Sequence, residues 1–253
     1  MSTARDLRTT QGFGPEPGLV VPAVVPHHLG IILDGNRRWA AARGLPPIAG
    51  HREGARRLLD IIDWADMAGI STLTTWVLSV DNLRRPREEL EGLLPLIGQT
   101  VDHLAAQQRW PLRHVGDSSI LTPELRGSLN AAEKATRGLT AMTVNMAVGY
   151  SGRREIAAAI CGVLTERFAG SPDFAAAEAD WEELITNHLC AGAQRDPDLI
   201  IRTSGEKRLS GFLMWQSTWT ELCFSDVLWP DFTYDDFRHC LQAFAARTRR
   251  YGT

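Results

Sequence analysis

The sequence predicts an α/β fold, a three-layer α/β/α sandwich around a mostly parallel central sheet. Short apolar runs that end at turn residues alternate along the chain with longer segments of helical periodicity. Strands that alternate with helices form parallel sheets covered on both faces. The 253 residues, 44% hydrophobic and 23% charged, suit one soluble domain. We expect a flexible N-terminal arm over residues 1–26, which lack periodicity, and a single domain over residues 27–253.

Local patterns predict the individual elements in order. Apolar runs predict strands at residues 29–33, 71–78, 112–115, 142–147, 198–202 and 221–224. Apolar spacing predicts a helix from residue 36, a second that follows residues 49–54 and stops near Gly69, and others at 87–107, 122–136, 153–168 and 174–190. Pro95 should kink the third of these helices. Thr233 should cap a final helix that ends at residues 249–251.

Composition limits the classes of function. A net charge of −3 argues against broad nucleic-acid binding, so any anion site must be local. Lys134 and Lys207 are the only lysines, so position, rather than residue type, must indicate a phosphate-binding arginine. The four cysteines have no metal-ligand spacing, which favours free thiols in a reducing cytosol. No run approaches the ~18 apolar residues of a membrane span.

The most informative stretch follows the first predicted strand. Asp34, Gly35 and Asn36 form a turn, and good helix formers come next. Asn36 is a preferred helix cap, so the N–H groups of the helix start predict an anion site, to which Arg37 and Arg38 add positive charge. A carboxylate among phosphate ligands needs a bridging divalent cation, so Asp34 indicates Mg²⁺. The alternative is a strand–turn–helix corner with a solvated arginine pair.

Two further polar clusters, residues 79–85 and 202–210, also follow predicted strands. Ligands bind at the carboxyl ends of parallel strands, so the three clusters are expected to converge. The combined site would be rich in guanidinium groups that suit diphosphates, from Arg37, Arg38, Arg85, Arg202 and Arg208. No P-loop or dinucleotide-binding fingerprint is present. His51, just before a predicted helix, is either a phosphate contact or a structural histidine.

These motifs resemble those of a known family, the cis-prenyltransferases or undecaprenyl diphosphate synthases. The matching segments are Asp34-Gly35-Asn36-x-Arg38-Trp39-Ala40, Gly50-His51, Ser79-x-x-Asn82-x-x-Arg85-Pro86, Ile201-Arg202-Thr203-x-Gly205-Glu206, Arg208-x-Ser210, Glu221-Leu222-x-Phe224, Trp229-Pro230 and Arg249-Arg250-Tyr251-Gly252. The resemblance extends in register over residues 27–252. In details such as Arg37 and residues 149–155, the chain looks most similar to short-chain members that make Z-farnesyl diphosphate.

The resemblance implies an enzyme that condenses isopentenyl diphosphate with geranyl or farnesyl diphosphate, in the Z configuration and with Mg²⁺. It implies catalytic roles for Asp34 and Asn82 and metal binding by Asp34 and Glu221. An amide is a poor base, so proton removal by Asn82 is unsettled. The substrate-binding residues that it implies are Gly35, Asn36, Arg37, Arg38, Trp39, His51, Ser79, Val80, Asp81, Leu83, Arg85, Arg202, Arg208, Leu209 and Ser210.

The chain departs from the family pattern at several positions. Leu83 replaces a frequent Trp, and Pro47 replaces a basic residue whose charge Arg37 could restore. Lys207 stands where a His metal ligand is frequent, and an ammonium cannot ligate Mg²⁺. Family members grow their product in an apolar tunnel, for which the chain-length candidates are Val77, Leu94 and Met142. Val77 has the alternative interpretation of an ordinary core residue.

Several functional interpretations stay open. The leading one is a catalytic cis-prenyltransferase of short or medium product length, and the second is a long-chain undecaprenyl diphosphate synthase for a cell-wall lipid carrier. A non-catalytic subunit is disfavoured because Asp34 and the phosphate arginines are present. A lavandulyl-type coupling enzyme is disfavoured because those members vary at the position of Glu206. The resemblance also implies a homodimer, and a lipid product implies loose membrane contact of a cytoplasmic protein.

Overall fold

The computed structural model describes residues 22–167, 181–190 and 194–247. The strands among these residues form one sheet in the order β3-β4-β2-β1-β5-β6. They are β1 (His28–Ile32), β2 (Thr72–Ser79), β3 (Leu112–Val115), β4 (Thr143–Tyr150), β5 (Leu199–Arg202) and β6 (Glu221–Phe224). Every pairing in this sheet is parallel. The predicted α/β class is therefore confirmed, with a sheet that is parallel throughout its described strands.

Helices connect the strands. They are α1 (Asn36–Ala41), α2 (Pro47–Met67), α3 (Arg87–Ala106), α4 (Pro123–Thr136), α5 (Gly152–Arg167), α6 (Trp181–His188) and α7 (Tyr234–Ala245). Local chemistry explains several starts: Thr122 and Thr233 cap α4 and α7 through their side chains, and Asp236 completes a capping box with Thr233. Helix α7 ends at Ala245, earlier than predicted. The N–H of the following residue, Ala246, donates to the carbonyls of Gln242 and Phe244.

Three predictions fall partly or wholly on residues that the structure does not describe. These are most of the N-terminal arm, the first part of the helix predicted at 174–190, and residues 249–251. The division into an arm and one domain stays a prediction. Within the described ranges, no helix is both long and apolar enough to cross a bilayer.

Apolar side chains cover both faces of the sheet. On one face, the apolar sides of α2, α3, α4 and α7 pack against the strands in a large core, with residues such as Ile61, Ile97 and Phe237 almost fully buried. On the other face, a smaller cluster joins Tyr150 at the end of β4 to Phe212 in the β5–β6 connection. The sheet is thus the middle layer of a sandwich, as its all-parallel pairing requires.

The strand order determines where the site lies. Strands β2, β1 and β5 are neighbours, and Ile32 at the end of β1 pairs with both Trp76 and Arg202. The segments that leave these strands therefore emerge side by side at the carboxyl edge of the sheet. This is the position at which open α/β sheets bind ligands.

Candidate active site

The three polar clusters predicted to converge do so. A cavity of about 460 Å³ opens at the carboxyl edge of β1, β2 and β5, within the usual range for small-molecule sites. Polar residues from each cluster line its mouth: Asp34, Asn36, Arg37, Arg38, Ser79, Asp81, Asn82, Arg85, Arg202, Arg208 and Ser210. Gly35 and His51 line it as well. Apolar side chains from α2 and α3 line its inner part.

Asp34 lies at the centre of the mouth, immediately after β1. Thr203 holds its backbone, since the hydroxyl accepts from the Asp34 N–H at 3.0 Å and bonds the Asp34 carbonyl at 2.7 Å. Burial raises the pKa of the Asp34 carboxyl, but hydrogen bonds from Arg202 and Ser204 and the nearby arginine charges outweigh it and hold the pKa below its ordinary 3.8. Asp34 is therefore ionised at neutral pH, with its side chain 31% exposed towards the cavity.

Arg202 is buried and connects Asp34 to the loop after β5. One terminal nitrogen donates to Asp34 Oδ2 at 2.8 Å, and the other donates to Ser210 Oγ at 2.8 Å and to the Arg208 carbonyl. The sequence predicted a substrate contact here. In the described structure both terminal nitrogens of Arg202 already have protein partners, so its guanidinium fixes the geometry of its neighbours.

Asn36 is not the helix cap that the sequence predicted. Gly35 occupies the cap position with a left-handed φ of 116°, and Asn36 is the first residue of the helix. The Asn36 side-chain amide donates instead to the Leu33 carbonyl at 3.1 Å. Helix α1 has only six residues, so its N-terminus is a weaker source of positive potential than predicted.

His51 lies inside α2, not before it, because that helix already begins at Pro47. Its Nε2 is 3.1 Å from Glu89 Oε1, and Glu89 also accepts from Arg85 at 3.1 Å. Burial, and the charges of Arg85 and Arg37, lower the pKa of His51 despite the opposing effect of Glu89. Sequence reasoning missed Glu89, although Arg85 and Glu89 have the i, i+4 spacing of a helical ion pair.

The corner after β2 presents Ser79, Asp81 and Asn82 to the cavity. The Ser79 hydroxyl accepts from the Asn82 N–H at 3.0 Å, which fixes the short 3₁₀ turn of Asp81–Arg84. Val80 and Leu83, also predicted to bind substrate, do not line the cavity: the Val80 N–H donates to the Tyr150 carbonyl, and Leu83 packs against the large core.

Two other predicted contacts face away from the cavity. The Trp39 indole donates to Asp231 at 2.6 Å, and the Arg43 guanidinium lies 4.1 Å from the centre of the Trp39 ring. Leu209 packs in the smaller core with Phe212. Trp39 and Leu209 therefore stabilise the segments that form the site, but they do not line the cavity themselves.

The structure contradicts a metal site shared by Asp34 and Glu221 within this chain. Glu221 begins β6 and pairs in register with Leu199, the first residue of β5, whereas Asp34 lies beyond the last residues of the strands. The two carboxylates are at opposite edges of a sheet whose strands rise about 3.3 Å per residue. Glu221 instead forms an ion pair with Arg247. Lys207 is exposed and is not part of the cavity wall.

A β-bulge shapes the apolar part of the cavity. Trp76 pairs with Ala147 and Leu78 with Val148, so Val77 is an extra residue in β2. Val77 lines the cavity, together with Leu93, Leu96, Ile97 and Thr100 on α3 and Met146 on β4. Two of the predicted chain-length residues do not line it: Leu94 packs on another side of α3, and Met142 lies before β4 at the far edge of the sheet.

Asp34 is the carboxylate best placed to hold a metal ion. The described residues contain no group of three or more His, Cys, Asp or Glu side chains that could hold one. The ionised Asp34 carboxylate, beside several arginines, fits Mg²⁺, which is usually held by one or two carboxylates and by substrate phosphates. It does not fit a tetrahedral zinc site, which needs three or four protein ligands.

Known proteins resemble this chain over most of its length. The Prenyltransf family model, described as undecaprenyl diphosphate synthase, matches residues 32–252. "Isoprenyl transferase 1" of Streptomyces avermitilis is 46% identical over 231 residues, which cover 90% of this chain and 89% of that protein. "(2Z,6E)-farnesyl diphosphate synthase" of Thermobifida fusca is 44% identical over 229 residues, 90% of each chain. The crystal structure of lavandulyl diphosphate synthase from Lavandula x intermedia, in complex with dimethylallyl diphosphate, superposes with a TM-score of 0.82 at 33% identity and covers 90% of this chain and 99% of that one.

Proposed function

The chain belongs to the undecaprenyl diphosphate synthase family and is a cis-prenyltransferase, and we propose that it adds isopentenyl diphosphate to geranyl diphosphate to give a short Z-prenyl diphosphate. The observation that carries this proposal is the convergence of an ionised carboxylate, several arginines and an apolar cavity at one edge of the sheet. The arginines suit diphosphates, and the apolar part suits a prenyl tail of limited length.

The relatives support the primer and the product. A (2Z,6E)-farnesyl chain contains one E double bond, which a geranyl primer already carries, and one Z double bond, which a single cis addition creates. Thermobifida fusca and Mycobacterium tuberculosis relatives carry that name at 44% and 39% identity. We propose farnesyl diphosphate as the second primer, to which the enzyme would add one further isopentenyl unit.

The condensation breaks the allylic C–O bond, and the diphosphate leaves with the electron pair. The terminal alkene carbon of isopentenyl diphosphate bonds to the allylic carbon, and a proton is lost from the carbon next to its diphosphate-bearing carbon. The barrier falls when preorganised donors stabilise the charge that collects on the leaving diphosphate. We propose that Arg85 and Asn36 contribute such donors beside His51, which is neutral because burial lowers its pKa.

Asp34 would hold Mg²⁺, which supplies positive charge to the diphosphates when bound. The buried Arg202 keeps the Asp34 carboxylate turned into the mouth of the cavity. Arg208 is 61% exposed and pairs with Glu206 in its own loop, so we propose that it exchanges this partner for isopentenyl diphosphate, next to Ser210. Asn82 would orient the reacting carbon chains beside Ser79, because an amide is a poor base.

The oligomeric state and location are proposals that rest on the family. We propose a homodimer in the cytoplasm, in loose contact with membranes through its lipid product. Light scattering after size-exclusion chromatography would measure the mass: two copies of the 28.0 kDa chain support the dimer, and a single copy contradicts it.

A product assay tests the function. Purified protein is incubated with Mg²⁺, labelled isopentenyl diphosphate and, in separate reactions, dimethylallyl, geranyl and farnesyl diphosphates, and the dephosphorylated products are sized by chromatography. We expect a fifteen-carbon Z product from geranyl diphosphate and no labelled product when a chelator replaces Mg²⁺. A product near fifty carbons would show long-chain synthesis. A folded sample that makes no product from any primer would overturn the catalytic function.

A further inference from the structure

Two of the four cysteines lie on elements that pack against each other. Cys223 is the third residue of β6, and Cys240 lies in the middle of α7. The Cys240 side chain is buried in the large core, and the Cys223 side chain is partly buried and packs against the same core. Both thiols therefore lie in the layer between α7 and the sheet.

The ion pair between Glu221 and Arg247 shows how α7 lies on β6. Alternate residues of a strand face the same side, so Cys223 shares the face of Glu221, about 7 Å further along β6. Cys240 precedes Arg247 by about two helical turns and so lies on the same side of α7. Because α7 ends near the start of β6, its earlier residues lie towards the end of that strand. This arrangement places Cys240 opposite Cys223.

The two side chains are in direct contact. The Cys240 thiol donates a hydrogen bond to the Cys223 sulfur, and both cysteines are free thiols in this structure. A hydrogen bond between two thiols brings the sulfur atoms close to the arrangement that a disulfide requires. The other two cysteines, Cys161 and Cys190, are exposed. The β6–α7 pair is thus the place where this chain brings two thiols together inside the fold.

We propose that Cys223 and Cys240 form a reversible intramolecular disulfide when the protein meets hydrogen peroxide. Cys223 reacts first, because its side chain is only partly buried whereas Cys240 is enclosed in the core. The Cys223 thiolate attacks one peroxide oxygen, which breaks the O–O bond, releases hydroxide and leaves a sulfenic acid.

The second step closes the bond. The Cys240 sulfur attacks the Cys223 sulfur, the S–O bond breaks, and the hydroxyl group leaves with the Cys240 proton as water. Two thiols are oxidised to one disulfide, and one peroxide molecule is reduced to two water molecules. A dithiol reductant returns both cysteines to thiols.

The bond would fasten α7 to β6, the strand at one edge of the described sheet. Neither Cys223 nor Cys240 lines the cavity, so the proposal does not depend on the proposed function. It assigns the pair a reaction of its own.

The experiment uses the Cys161→Ser/Cys190→Ser protein, in which the pair is retained and the exposed thiols are removed. The reduced protein is treated with a small excess of hydrogen peroxide, and its free thiols are alkylated in denaturant and counted by mass spectrometry. We expect both thiols to be lost together, with a mass lower by two hydrogen atoms, and both to return after treatment with dithiothreitol. Cys240→Ala in the same background is the matched control, and its Cys223 should gain oxygen instead.

Digestion of the oxidised wild-type protein provides a test that needs no substitution. A peptide that contains Cys223 linked to one that contains Cys240 supports the proposal. Two thiols that persist, a pair in which Cys223 gains oxygen without a link, or a link between two copies of the chain on a non-reducing gel would each overturn it.

Discussion

The two edges of the sheet both carry polar side chains, but they use them differently. At the amino edge, the buried His28 ring bonds the Arg195 carbonyl and Thr74, Thr74 accepts from Asn145, and Asn145 bonds Gln194. At the carboxyl edge, three residues that line the cavity have buried atoms without a hydrogen-bond partner among the described residues: Asn36 Oδ1, Trp76 Nε1 and Arg202 Nε. Trp110 Nε1, just before β3 at the amino edge, is also unpaired there, but it does not line the cavity.

This difference between the two edges distinguishes polar groups that stabilise the fold from polar groups that are available to a ligand. Buried polar groups that satisfy one another stabilise a fold, whereas unsatisfied groups beside a cavity reduce stability unless a ligand pairs with them. We therefore expect substitutions at the amino edge to change stability with little direct effect on the chemistry. Substitutions at the carboxyl edge should change the reaction with less effect on the fold.

The largest effect is expected from Asp34→Asn. Loss of the carboxylate removes the charge that would hold Mg²⁺ against the diphosphates, so kcat should fall about 10³-fold while the thermal unfolding midpoint changes little. Incorporation of labelled isopentenyl diphosphate and circular dichroism measure the two quantities. The control, Glu91→Gln, removes an exposed carboxylate on α3 and should stay within about twofold of wild type. A kcat within tenfold of wild type for Asp34→Asn would contradict the assignment.

The buried His28 at the amino edge predicts that the folded state loses stability in acid. Burial lowers the pKa of His28 from 6.5 to about 4, so between these values the unfolded chain binds more protons than the folded one. Stability from His28 is fully present above pH 6.5 and is lost as the pH falls towards 4. The loss between pH 7 and pH 5 should be about 2 kcal/mol.

Urea unfolding at both pH values tests this prediction. The lowered pKa of His51 acts in the same direction at the other edge, so His51→Gln is the matched variant for His28→Gln. We expect His28→Gln to remove the larger part of the pH dependence. An unchanged pH dependence in His28→Gln would show that other groups cause it.

Gly50→Ala tests how tightly the walls of the mouth are assembled. A Cβ at Gly50 would lie 2.0 Å from the backbone oxygen of Asn36, which cannot move without shifting α1. We expect about 1–3 kcal/mol of destabilisation and a loss of activity, measured by thermal unfolding and product assay. Gly127→Ala is the control, because its Cβ meets nothing within 4 Å and should slightly stabilise α4. Equal stability of both variants would show that the approach of α2 to α1 is loose.

The smallest effect that we expect is a change in the length of the product. Val77→Ala removes two methyl groups from the bulge that borders the apolar cavity, so we expect products longer by one or two isoprene units, at a cost of about 1 kcal/mol in stability. Leu94→Ala is the control, since Leu94 packs outside the cavity and should reduce stability without lengthening the product. Chromatographic sizing decides between them. Identical product lengths in both variants would leave Val77 as an ordinary core residue.

Some site features could be predicted because they depend on chain order alone. Asp34, Asn82 and Arg208 follow neighbouring parallel strands, and a parallel sheet brings such segments to one edge. Glu221 was assigned to the metal on the resemblance alone, although the strand predicted at residues 221–224 already placed it at a strand start. It lies at the start of its strand, and a residue at the start of a parallel strand lies at the opposite edge from the ligands.

The sequence by itself determined the parallel character of the sheet and the succession of strands and helices along the chain, most of them with bounds correct to within a few residues. It also determined the polar segments that meet in the cavity. These follow from periodicity, turn residues and motif spacing, which are local properties. Only the tertiary structure decided that His51 is buried against Glu89 and that a bulge makes Val77 an extra residue on the cavity wall. Burial, register shifts and charge pairing depend on residues distant in sequence, so no local pattern encodes them.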